Sequence, residues 1–234
     1  TNSKSPALIA LDWGTTSLRA YLLDANGVML DRKFEPLGIL KIPDNDFDAA
    51  FEETCAPWLG DGASDLPILA SGMIGSREGW LEAPYVPCPA GLDQLAQKFA
   101  SLITKKGRRV VIVPGISTEN SAGVPDVIRG EETQIMGALE ATKTTQLFVL
   151  PGTHSKWAVV RDHRINRFAT FMTGEVFAIL KEHSILGRTM KSDYDDIEAF
   201  QQGYEYAFDE PANPAGLLQQ LFSARTLALF DEIP

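Results

Sequence analysis

Cysteine and histidine are nearly absent. Cys55 and Cys88 are the only two thiols in 234 residues, and His154, His163 and His183 the only imidazoles. The cysteines are far apart and fit no CxxC spacing, so neither a disulfide framework nor a thiolate metal site is expected. The histidines do not stand at metal-ligand spacing with carboxylates, which argues against a zinc centre. Positive charge is also in short supply. Lys and Arg number 21 against 31 Asp and Glu, a net charge of −10, and the basic residues are scattered. A broad nucleic-acid-binding face is therefore not expected, and any anion site has to be local. No apolar run approaches the roughly 20 residues that span a bilayer. The amino terminus lacks a basic region leading into an apolar core. The expectation is a cytoplasmic protein with no membrane or nucleic-acid partner. What the chain has in quantity is core material: 44% of it is hydrophobic, which suits one large or two modest globular domains.

The stretch LIALDWGTTSLRAYLLD, Leu8 to Asp24, puts a carboxylate, Asp12, at the end of an apolar run, then turns at once on glycine and small hydroxyls. A buried carboxylate without a partner is costly, so a cation or a proton donor is expected beside it. Arg19 is the one nearby candidate, and a partner from outside the chain is the other. Leu8–Asp12, Leu18–Leu23 and Val28–Phe34 read as strands, with a hairpin turn at Asp24-Ala25-Asn26-Gly27. The pattern returns at Leu147–Phe171. At one constant offset, Gly14-Thr15-Thr16-Ser17 lies over Gly152-Thr153-His154-Ser155, Ala20 over Ala158, Asp24 over Asp162, and Asn26-Gly27 over Arg164-Ile165. Strand, loop, strand, turn and strand recurring in order imply a duplication. Two similar domains are expected, at 1–143 and 144–234.

Elsewhere the pattern alternates between helix and strand. Phe47–Leu59, Gly91–Ile103, Glu131–Ala141, Glu175–His183 and Asp195–Gln202 read as helices, and Leu66–Ala70 and Arg109–Val113 as short strands. This is an α/β arrangement, each domain a sheet begun by a meander and crossed over by helices. Pro211-Ala-Asn-Pro214 breaks the tail, and Gly216–Phe230 resumes a helical pattern. The second half is the shorter one, which leads to the expectation that its domain is truncated at the carboxyl end.

A tight turn after a strand, with Gly14 or Gly152 allowing close approach, offers backbone N–H groups and hydroxyls to phosphate oxygens. The repeats differ where Asp12 corresponds to Leu150. One carboxylate on one side suits a Mg²⁺ held through its waters, so Asp12 is the expected metal residue. The segment Leu11–Ala20 resembles the first phosphate motif of glycerol kinase and related carbohydrate kinases, and Pro151–Lys156 resembles their second. SGMIGSREGW, PGISTENSAGVPDVIRGEETQIMGALE and FMTGEVFAILKEHSILGRTM extend the likeness along nearly the whole chain to the 2-dehydro-3-deoxygalactonokinases. This resemblance implies two duplicated ribonuclease H-like domains of the actin/hexokinase-like ATPase fold, with a cleft between them. It also implies ATP and Mg²⁺ as cofactors. Phosphate contacts would come from Gly14, Thr15, Thr16, Ser17 and Arg19, and from Gly152, Thr153, His154, Ser155 and Lys156. The implied reaction is phosphorylation of a keto-deoxy sugar acid at its terminal hydroxyl. The glycine-rich segment that carries the adenine site in these kinases has no counterpart after Gly203.

Phosphoryl transfer to a hydroxyl needs a carboxylate to accept the proton. Near Gly130 the candidates are Glu131, then Asp126, then Glu132; in the related kinases the base is an Asp just after a glycine, and the register here is one residue shorter. Acids in a first helical turn also favour the macrodipole with no catalytic role. The loop Ser71–Trp80 has the position of a sugar loop, with Ser71, Met73, Ser76, Arg77 and Trp80 as substrate candidates. Arg77 can hold a carboxylate by two hydrogen bonds, or simply pair with Glu78 or Glu82 on the surface. Trp80 is either a wall for the sugar or a packing residue. Thr118, Glu119 and Asn120 are weaker candidates for the same cleft. Competing readings are an ATPase switch acting on a protein partner, a different carbohydrate kinase, and a non-catalytic sugar-acid binder. The epimer used and the oligomeric state, a homo-oligomer included, stay open.

Overall fold

The computed structural model describes residues 5–59, 66–189, 197–208 and 216–230. The chain opens with three antiparallel strands, β1 (Pro6–Trp13), β2 (Leu18–Asp24) and β3 (Met29–Glu35), followed by helix α1 (Phe47–Leu59) and strand β4 (Ile68–Ser71). Next come β5 (Tyr85–Pro87), a short helix α2 (Leu92–Ala96), β6 (Ala100–Ile103), β7 (Arg109–Ile112), β8 (Gly115–Glu119), β9 (Pro125–Ile128) and α3 (Glu131–Gly137). A second meander is formed by β10 (Thr145–Leu150), β11 (Ser155–Arg161) and β12 (Arg164–Phe171). Helices α4 (Thr173–His183), α5 (Ile197–Phe208) and α6 (Gly216–Leu229) follow. The fold is mixed α/β.

The first sheet has the order β3-β2-β1-β4-β7-β6, with β4 parallel to both β1 and β7. Ile9, Leu11 and Trp13 alternate inward along β1, as Leu18, Ala20 and Leu22 do along β2. They bury against Phe47, Phe51 and Cys55 of α1. A buried ion pair fastens α1 to the β6–β7 hairpin: Arg108 Nη1 donates to Glu52 Oε1 at 2.9 Å. A small sheet, β5-β8-β9, and the second meander build another core, in which Ile116, Ile128 and Ile135 meet Ala158, Val160, Ile165 and Phe168.

The chain forms two compact units. One unit holds everything to Leu150 together with Lys156–Phe171; the other holds Pro151–Ser155 and the chain from Met172 onward. The second meander falls in the first unit because its inward face packs on β8, β9 and α3.

Several local expectations change. Gly91–Ile103 is not one helix, since α2 ends at Ala96 and Ala100–Ile103 pairs antiparallel with β7. Strand pairing overrides the helix-like spacing there. Helix α3 stops at Gly137 rather than Ala141. In the second hairpin the turn is Asp162-His163, both at positive φ, and Arg164-Ile165 already belongs to β12. The first hairpin has the longer loop, so the ungapped overlay ends at Asp162. The start of α5 at Asp195 and the Pro211–Pro214 break lie outside the described residues.

Candidate active site

The first unit brings three segments together at the carboxyl end of parallel β1 and β4. Gly72 has φ +96°, and a Cβ there would stand 2.8 Å from the Trp13 carbonyl oxygen. A Cβ on Gly130, at φ +108°, would stand 3.2 Å from Gly72 Cα. Both places favour glycine, because a side chain would sit at a strained φ and, at Gly72, also run into the Trp13 carbonyl. Asp12, the Ser71-Gly72 bend and the Arg129-Gly130-Glu131 step are thereby gathered within one compact unit. Strand carboxyl ends are where open α/β sheets place their ligands.

Asp12 is half-buried and has a partner in the chain. It faces Arg19 across the β1–β2 register, and Arg19 Nη1 donates to its Oδ2 at 3.0 Å. Of the two partners the sequence left open, Arg19 is the one the cross-strand geometry supplies, and the carboxylate is partly exposed rather than buried. The pair engages Oδ2 and leaves Oδ1 for another ligand. Beyond it the turn is braced from behind. Trp13 Nε1–H donates to the Leu37 carbonyl at 2.7 Å, Ile39 N–H donates to the Gly14 carbonyl at 3.0 Å, and Gly14 N–H donates to the Ser17 carbonyl at 2.9 Å. A Cβ on Gly38 would lie 2.2 Å from the Thr15 carbonyl oxygen. Thr15 and Thr16 remain exposed on this braced turn, and Ser17 partly so.

The second turn, in the other unit, is braced by a helix start. Glu175 N–H donates to the Thr153 carbonyl at 3.0 Å, and Ser155 Oγ is hydrogen-bonded to Thr173 Oγ1. His154 Nε2 and Glu175 Oε2 are 2.5 Å apart. A Cβ on Gly174 would come within 2.5 Å of the Gly152 carbonyl oxygen. Gly152, Thr153 and His154 are exposed, and Ser155 is buried. Lys156, also buried, donates to Thr170 Oγ1 at 3.0 Å.

The three base candidates differ sharply. Asp126 spends both oxygens on Thr170, accepting its N–H at 2.8 Å and its hydroxyl at 2.8 Å. Asp126 and Lys156 therefore meet at Thr170, joining β9, β11 and β12. Glu132 is fully buried, accepts the Gly130 N–H at 2.6 Å and the Thr133 hydroxyl at 3.1 Å, and has its carboxyl pushed up to about 7 by that burial. Glu131 is partly exposed and accepts the Arg129 N–H through Oε2 at 3.0 Å.

On the sugar loop, Ser71 and Ser76 are buried and Met73 is partly buried. Arg77 takes its bland alternative: its side chain is 84% exposed and pairs with Glu82 at 3.2 Å. Trp80 packs edge-on against Trp13 and tilted against Phe51, as a packing residue. Asn120 holds its own turn, accepting the N–H groups of Ala122 and Val124. Sequence reasoning gave no role to Arg129, the buried cation of this region; an arginine directly ahead of Gly-Glu-Glu in an acidic chain was the available signal. Among the described residues no group of three or more His, Cys, Asp or Glu could hold a metal, and no helix is long and apolar enough to cross a membrane.

Relatives matching nearly the whole chain are kinases, and this protein is a carbohydrate kinase. The 2-dehydro-3-deoxygalactonokinase of Escherichia coli K12 is 33% identical over 226 residues, covering 97% of this chain and 73% of that protein. A Rhizobium meliloti protein assigned to the same activity is 35% identical over 218 residues, covering 92% of this chain and 70% of its own. A crystal structure assigned to a 2-dehydro-3-deoxygalactonokinase protein from Sinorhizobium meliloti superposes with a TM-score of 0.83 at 33% identity, over 95% of this chain and 73% of that one. Residues 12–234 match the family described as 2-keto-3-deoxy-galactonokinase, and the chain belongs to that family.

Proposed function

We propose that the chain transfers the γ-phosphoryl group of ATP to the 6-hydroxyl of 2-dehydro-3-deoxy-D-galactonate, giving the 6-phosphate and ADP, in the cytoplasm. The observation that carries this reading is the meeting of Asp12, the Ser71-Gly72 bend and Glu131 at one sheet end, in a member of this kinase family. Glu131 is the base: it is partly exposed, whereas Asp126 has both oxygens occupied and Glu132 is sealed in. At the first turn the exposed Thr15 and Thr16 and the partly exposed Ser17 serve phosphate oxygens, with Arg19, and Gly14, whose N–H is spent on the Ser17 carbonyl, lets the phosphates come close. Gly152, Thr153 and His154 do so at the second, where Ser155 and Lys156 shape the turn through Thr173 and Thr170. A single half-exposed carboxylate with one oxygen free fits Mg²⁺, which keeps most of its waters, and Asp12 would hold it; bound there, the metal would neutralise charge on the phosphates. Halves 1–143 and 144–234 are read as products of one duplication with the actin/hexokinase-like plan.

The test is coupled ADP release by the protein with a panel of sugar acids, alongside Asp12→Asn and Glu131→Gln. Release that requires the keto-deoxy sugar acid and falls at least a hundredfold in both variants is the expected result. ADP release indifferent to sugar would favour an ATPase switch. Full activity in Glu131→Gln would remove Glu131 as the base.

A further inference from the structure

We infer that Arg129, with Ser76 beside it, is the specificity site for the carboxylate of the sugar acid. This rests on the kinase reading above and replaces Arg77, which lies on the surface. Arg129 is more than nine-tenths buried. Its guanidinium is held on two sides: Nη2 donates to the Ala83 carbonyl at 2.8 Å, and Nε faces the Tyr85 hydroxyl at 3.5 Å, with the Tyr85 ring 4.3 Å below. Nη1 is buried and has no hydrogen-bond partner. Among the described residues no carboxylate pairs with this cation. A buried charge without a counterion is unfavourable by several kcal/mol, and an anionic ligand is what removes that penalty.

The second orphan lies on the adjoining loop. Ser76 Oγ is buried without a partner, and its neighbour Gly75 is the residue that covers Arg129 Nη1, since a Cβ on Gly75 would fall 2.8 Å from that nitrogen. Two buried donors without partners, Arg129 Nη1 against Gly75 and Ser76 Oγ on the next residue, suit the two oxygens of a carboxylate. Guanidinium is the cation whose donors match that group in direction as well as charge. Arg129 is also tied to the proposed base, since its backbone N–H donates to Glu131 Oε2 at 3.0 Å. A neutral sugar would leave the arginine as it is now.

The experiment uses the full chain and two substrates: the keto-deoxy sugar acid and the same sugar with a primary alcohol in place of the carboxylate. Wild type, Arg129→Met, Arg129→Lys, Ser76→Ala and Gly75→Ala are compared by ADP release and, separately, by calorimetric binding of the sugar acid without ATP. The hydrogen bonds of a charged group correspond to about tenfold to a hundredfold in affinity. Arg129→Met should raise KM for the acid by that factor with kcat changed less than about threefold, and leave KM for the alcohol unchanged. Arg129→Lys should recover only part of the loss. Ser76→Ala, which removes only a buried hydroxyl, should raise the acid KM several-fold; Gly75→Ala, whose Cβ would fall 2.8 Å from Nη1 and 3.0 Å from Ile112 Cγ2, should do so by displacing Nη1. If all four variants keep the wild-type KM for the acid, or lose acid and alcohol equally, the assignment is wrong. Binding of the acid that depends on Arg129 in a protein that releases no ADP would sink the kinase reading and keep this site. Wild type that binds no sugar acid would overturn both.

Discussion

Glu132→Gln isolates one buried charge. Glu132 has no exposed surface, and burial, only partly offset by the Gly130 N–H and the Thr133 hydroxyl, lifts its carboxyl from 4.5 to about 7. At about 1.36 kcal/mol per pKa unit this corresponds to about 3 kcal/mol. The sign follows from proton counting. Between 4.5 and about 7 the folded protein keeps a proton that the unfolded chain releases, so this residue's contribution is fully present below 4.5 and is lost as pH rises through about 7. Glutamine has no charge to lose and keeps an acceptor for Gly130. Its second donor adds an offset, but that offset does not vary with pH. Urea unfolding of both proteins from pH 4.5 to 8.5 reads the difference. The variant should gain about 3 kcal/mol on the wild type across that range, with most of the change complete by pH 7.5. A difference that stays flat with pH would refute the buried-charge argument, whatever the offset.

Gly72→Ala forces a side chain into φ +96° and toward the Trp13 carbonyl; a loss of about 1–3 kcal/mol in denaturant unfolding is expected, together with weaker activity. Arg108→Met removes the buried partner of Glu52 between α1 and the β6–β7 hairpin while Lys106 Nζ stays 3.1 Å from its Oε2, and should cost about 1–3 kcal/mol in the same measurement. Gly174→Ala crowds the Gly152 carbonyl, so the KM for ATP should rise more than the KM for the sugar. Burial pushes the Cys55 thiol up to about 12 and the Cys88 thiol up to about 11. Both should react with a thiol-specific disulfide reagent at pH 8 far more slowly than a free thiol, and rapid labelling of either would contradict the packing.

Local pattern alone determined the α/β class, the two meanders, the span of α1 and the two glycine-hydroxyl turns, because alternation along a strand and periodicity along a helix are written in neighbouring residues. Where partners come from far along the chain, the linear order was silent. Ala100–Ile103 became a strand because β7 lay beside it, and the three short strands β5, β8 and β9 gave too little pattern to be seen. The site divides the same way. Asp12, Gly14 and Gly130 are recognisable from their own surroundings, and so is the pairing of Arg77 with nearby Glu82, whereas the fates of Asp126 and Trp80 were decided by Thr170 and Trp13, each brought in by folding. Arg129 is the extreme case: its place ahead of Gly-Glu-Glu is a faint signal, and only the loop folded over it from Gly75 makes it a buried cation with one edge unmet.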